Sequence, residues 1–127
     1  MNPAIAALVG GFAGWAGENA LAKVKAPLTL RSSPPTHYSK VLPGVPLLPV
    51  YAAGGAALSL LTPAVAKAPW PLRGLAYAGA LTAIEGAAGY AERVQGRATW
   101  DYDGKPVDVT HAALWGLLGL LAEPVFR

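Results

Sequence analysis

Apolar residues fall in four long stretches rather than in alternation with polar ones. The first runs from about Pro3 to Ala22 and has no charge before Glu18. The second lies within Val41 to Ala66, which is entirely uncharged. The third runs from about Leu72 to Ala91 and contains Glu85. The fourth runs from near Val107 to near Phe126, with His111 and Glu123 inside it. None has a polar face to present to water, so an amphipathic surface helix is the poorer description. A spanning helix needs about 20 apolar residues. The pattern therefore predicts an all-α fold: a four-helix transmembrane bundle with spans at about 3–22, 47–66, 72–91 and 107–126. The first three reach the length directly. The fourth reaches it if His111 or Glu123 enters the interfacial zone.

The connections differ in kind. Lys23 to Leu48 carries Pro27, Pro34, Pro35, Pro43 and Pro46. Proline lacks the N–H and clashes with the preceding turn, so this is a Pro-rich loop and not a helix. Lys67 to Pro71 is a tight connector, and Gln95 to Pro106 is short and polar with Gly96 and Gly104 as breakers. The chain reads as a single domain over 1–127. Ala20-Leu21-Ala22 resembles a signal cleavage site, but no basic segment precedes the apolar run, so the first helix is expected to stay.

Composition agrees with the pattern. Charged residues make up 13%, about half the usual share of a soluble domain. Ala, Gly and Leu dominate the 54% hydrophobic content, as suits helices packed closely in lipid. There is no cysteine, which excludes disulfides and thiolate metal sites. The net charge of +3 comes from basic residues in the loops, which reads as topology rather than as a nucleic-acid surface. Lys23, Lys25, Arg31, Lys40, Arg93, Arg97 and Lys105 fall in or beside the first and third loops. Lys67, Arg73 and Arg127 fall on the other side. The positive-inside bias places the first and third loops in the cytoplasm and both termini outside.

An ionisable group inside a membrane-type segment is costly and usually faces a partner or a polar cavity. Glu85 is that group, about 12 Å deeper than Arg93 at the interface. Glu85, Gly89 and Glu92 share one helical face, and Gly11, Gly14 and Glu18 share another. Gly10 and Gly14 also form a GxxxG. His111, Trp115, Leu118 and Ala122 make a stripe on the fourth helix. These faces predict a polar site between the cytoplasmic halves of the first, third and fourth helices. Its candidate residues are Glu18, Glu85, Asp101, Arg31, Tyr51 and Tyr102, supported by Trp15, Gly89, Glu92, Trp100, His111 and Trp115. Glu123 stands apart, at the opposite end. The plainer alternatives remain. Glu18 and Glu92 pair with Lys23, Arg93 or Arg97 at the interface. Glu85 makes an interhelical hydrogen bond. Trp70 and Trp100 anchor at the interface.

Enzyme signatures are absent: no Walker A, no Gly-x-Ser-x-Gly, no His-Glu-x-x-His and no dinucleotide fingerprint. Asp101-Tyr102-Asp103-Gly104 starts like a calcium loop but lacks its ligand spacing and terminal glutamate. No cofactor and no metal are expected.

Glu85-x-x-x-Gly89, Trp100-Asp101-Tyr102, Trp115-Gly116 and Glu123 together resemble the small membrane proteins called ABC-transporter type IV, or CmpB-like. They are also similar to the animal transmembrane protein 229 group. Gly14-Trp15-Ala16-Gly17-Glu18 matches the family's opening Gly-aromatic-x-x-Glu. Pro49-Val50-Tyr51 matches its Pro-x-Tyr-Gly, with Ala52 in place of the glycine. Asp108 stands where many relatives have Asn, and His111 where a small residue is common. The resemblance implies a four-helix membrane protein, and the expected location is the bacterial inner membrane. Three functions stay open: a transport-related or ligand- or lipid-binding membrane protein, an accessory subunit or homo-oligomer, and an intramembrane enzyme acting on a lipid head group. The expected partners are the lipid bilayer and a membrane-protein partner or a second copy, with no nucleic acid.

Overall fold

The computed structural model describes residues 1–23, 48–94, 105 and 107–127, without the side chains of Trp15, of residues 18–23 and of Leu48. Among these residues four helices follow one another: α1 (Pro3–Lys23), α2 (Leu48–Val65), α3 (Trp70–Val94) and α4 (Val109–Phe126). No strand occurs among the described residues. The all-α expectation holds, and each helix overlaps its expected span.

The boundaries have local causes. Asn2 caps α1, its Oδ1 accepting from the Ala4 amide at 2.8 Å. Pro3, Pro49 and Pro71 all sit in first turns, where a missing N–H costs little. Asp108 caps α4: its Oδ1 accepts from the amides of Thr110 at 2.6 Å and His111 at 3.3 Å. This is why α4 begins two residues later than the apolar run suggests. Burial alone would raise the Asp108 pKa. The two amides, and then the His111 imidazole, outweigh it and hold the carboxyl below its ordinary range.

The helices pack as two pairs, α1 on α2 and α3 on α4, with α2 also touching both α3 and α4. Glycine makes both pairs close. A Cβ on Gly10 would lie 2.7 Å from Gly55 Cα, and one on Gly116 would lie 2.7 Å from the Gly74 carbonyl oxygen. The GxxxG of α1 is thus spent within the chain, on α2. The buried stripe of α3 is Tyr77, Leu81, Glu85 and Gly89, four residues apart each time. On α4 it is Gly116, Gly119, Glu123 and Phe126. This corrects the expected stripe: Leu118 is 48% exposed, because the glycines, not the larger side chains, face α3.

Interior and exterior are unusual in balance. Among the described residues the buried hydrophobics are Ala6, Leu58, Tyr77, Leu81 and Phe126, and the buried polar or charged residues are Ser59, Thr62, Glu85 and Glu123. Outside, Leu8, Phe12, Leu60, Leu75, Leu117 and Leu121 are all more than half exposed. Among the described residues one helix, α4, is long and apolar enough to cross a membrane. Shorter apolar stretches occupy Pro3–Gly14 and Pro49–Val65. The expectation of four such helices is met only in part. Arg73, Glu85, Glu92 and Arg93 lower the hydropathy of α3, and its glycines and tyrosines lower it further.

Candidate functional site

Two polar centres lie inside the bundle, at different heights. The first surrounds Glu85. Tyr51 comes from α2, Leu81, Ile84 and Glu85 from α3, and Trp115 from α4. With Val50 and Gly54 they line a cavity of about 30 Å³. The rings of Tyr51 and Trp115 meet edge to face, with centroids 6.2 Å apart and planes at 67°. Tyr51 also fills the space beside Gly14, so a Cβ there would strike its ring. The four-residue spacing of α3 turns Glu85 inward, and it is only 5% exposed. The Trp115 Nε1 is buried and has no hydrogen-bond partner among the described residues. A cavity of this size holds one water, a small ion or nothing.

The structure thus brings together Glu85, Tyr51 and Trp115 of the expected set. Gly89 is buried one turn along α3, and Glu92 and His111 are half-buried further toward that end. Arg31, Trp100, Asp101 and Tyr102 lie outside the described residues, as do the side chains of Trp15 and Glu18. Gly14 reaches Tyr51, so the α1 backbone passes beside this centre. Among the described residues no group of three or more His, Asp or Glu is placed to hold a metal ion.

The second centre is at the opposite end, around Glu123. Arg73 Nε donates to Glu123 Oε1 at 2.8 Å, and Arg73 Nη2 approaches Oε2 at 3.5 Å. Arg73 Nη1 donates to the Ala68 carbonyl oxygen at 2.8 Å, tying the guanidinium to the turn before α3. The Tyr77 hydroxyl donates to Glu123 Oε1 at 2.8 Å and lies 3.5 Å from Thr62 Oγ1. Arg127 reaches the other carboxylate oxygen at 4.0 Å. Thr62, Ala66, Arg73, Glu123 and Arg127 line an open cleft of about 70 Å³. Here α2, α3 and α4 are joined by one charge-assisted network.

Sequence reasoning set Glu123 apart and did not single out Thr62, Arg73 or Tyr77. A signal was present: Arg73 and Tyr77 continue the four-residue series that reaches Leu81, Glu85 and Gly89. In the sequence Arg73 counts only among the basic residues on the side opposite the first and third loops, and Tyr77 is one residue among many in the apolar run.

By architecture the described residues form four helices with an apolar exterior and two internal polar centres. No family model, curated protein or solved structure matches it.

Proposed function

We propose that this chain is a small integral membrane protein that serves as a transport-related accessory subunit, working through contacts in the bilayer. The observation that carries the reading is the reversed balance of the bundle. Charged groups gather toward its two ends, large apolar side chains face outward along its length, and polar side chains share the interior. A soluble protein rarely exposes large apolar side chains on every one of its helices, as this chain does. Lipid against all four helices resolves this, with α4 the strongest span and α1, α2 and α3 held in place by glycine contacts. Ligand pockets commonly occupy about 300–1,000 Å³. The cavities at the two centres, about 30 and 70 Å³, are far smaller. A solute path therefore needs a partner or a second copy.

Purification in mild detergent, followed by light scattering and mass spectrometry, tests the proposal. The expected result is a stoichiometric partner or a defined oligomer, weakened by the paired changes Leu117→Ala and Leu121→Ala on the outer face of α4. A monodisperse monomer without a partner overturns it. Gly14→Leu is unsuited to this test, because it strikes Tyr51 within the same chain.

A second reading has its own observation, the buried Glu85 between Tyr51 and Trp115. It makes the chain a ligand- or lipid-binding membrane protein, or an intramembrane enzyme on a head group, with Glu18, Asp101 and Arg31 completing the site. Glu85→Gln should then abolish function while leaving thermal stability in detergent nearly unchanged. Full activity of that variant sinks the reading.

A further inference from the structure

The cleft at the chain-terminal end has the chemistry of an oxyanion site. Two guanidinium groups, Arg73 and Arg127, and one hydroxyl, Thr62, line it against a single carboxylate, Glu123. Arg73 offers five N–H donors. Two go to Glu123 and one to the Ala68 carbonyl, which leaves two. Arg127 is 71% exposed and touches Glu123 only at 4.0 Å, so most of its donors face outward. Glu123 is tied on three sides, by Arg73, Tyr77 and Arg127. It acts as the fixed anchor that orients Arg73, and the side-chain charges lining the cleft sum to one positive. The amino group of Met1 donates to the Arg127 main-chain oxygen at 2.9 Å, which holds the ends of α1 and α4 together.

The surroundings are those of a membrane interface. Lys67, exposed, follows the cleft residue Ala66 in the turn between α2 and α3. Trp70 is 67% exposed at the start of α3, one turn from Arg73. An exposed tryptophan beside basic residues at a helix end suits the head-group level of either membrane interface. The cleft volume of about 70 Å³ exceeds what one water needs and suits a small tetrahedral group, not a sugar or a base.

We propose that the cleft of Arg73, Arg127 and Thr62 binds a phosphate group, with the phosphodiester of an anionic lipid head group as its source. The lipid source rests on the membrane reading above; the phosphate chemistry does not. The test uses the full chain purified in an uncharged detergent. Inorganic phosphate alone, dihexanoyl phosphatidylglycerol and phosphate-free dihexanoylglycerol are titrated separately, read by thermal shift and native mass spectrometry. The expected result is saturable binding of the phosphatidylglycerol and none of the phosphate-free lipid. Arg127→Gln should weaken it roughly five-fold, the effect of one interfacial basic residue. Glu123→Gln should strengthen it by a similar factor, because it removes the opposing charge while an amide keeps contacts to Arg73 and Tyr77. A purely structural ion pair would not move in that direction. Arg127-dependent binding of inorganic phosphate but not of the lipid supports the site and assigns it to a free oxyanion. Binding of neither, or binding indifferent to Arg127→Gln, overturns the proposal. Failure here leaves the accessory-subunit reading standing, since that rests on oligomeric state.

Discussion

Glu123 is the residue whose removal should cost the fold most. It is 6% exposed and accepts from Arg73 and from Tyr77, which is fully buried. Glu123→Ala strips both partners and leaves a guanidinium mostly out of water with no counter-charge. Breaking a buried pair from one side costs about 3–5 kcal/mol. The expected outcome is a large fall in the midpoint of thermal unfolding in detergent, with Glu123→Gln much closer to the parent. An unchanged Glu123→Ala midpoint would show the pair to be idle. At this scale the sequence was half legible. Glu85 stands out because charge inside an apolar run is visible in one dimension. Glu123 carries the same charge but lies near a helix end, where an interfacial carboxylate is ordinary. Its importance comes from Arg73, fifty residues away in the chain, and no spacing rule links two such positions.

Between elements, glycine decides what touches what. Gly10, Gly55, Gly116 and Gly119 sit where a Cβ would collide with another helix, whereas Gly17 and Gly79 have nothing within 4 Å. Gly10→Ala should push α1 off α2, and crowding of this kind typically costs about 1–3 kcal/mol. Gly79→Ala should stabilise α3 by roughly 0.5–1 kcal/mol, since alanine restricts the unfolded chain more. Paired thermal melts of the two variants check this, and equal shifts would refute the packing assignment. Helix positions were legible from the apolar runs to within a few residues, because burial and span length act locally. The pairing was not. Fifteen glycines give many small-residue faces. Only the assembled bundle selects Gly10 and Gly14 for α2, and Gly116 and Gly119 for α3.

For the molecule as a whole, the prediction concerns sidedness. The structure brings Met1 and Arg127 together, so α1 starts and α4 ends on the same side. The basic residues then argue for termini outside and Lys105 in the cytoplasm. Because the chain has no cysteine, single cysteines at Ala66 and Lys105 are clean reporters. An impermeant thiol reagent applied to intact cells should label Ala66→Cys and spare Lys105→Cys until the membrane is opened. Labelling of both in intact cells would refute the bilayer reading, and the reverse pattern would invert the topology. The sequence by itself determined the all-α class, the approximate limits of the four helices found among the described residues, and the presence of a misplaced carboxylate on α3. Those follow from propensity and hydrophobicity, which each residue carries wherever it sits. Only the tertiary structure decided that Glu85, Tyr51 and Trp115 line one cavity, that Arg73 meets Glu123, and that Ser59, Thr62, Glu85 and Glu123 share the interior with the apolar core. Those are contacts across tens of residues, set by how closely glycine-faced helices approach, and close approach belongs to the packed bundle rather than to any one segment.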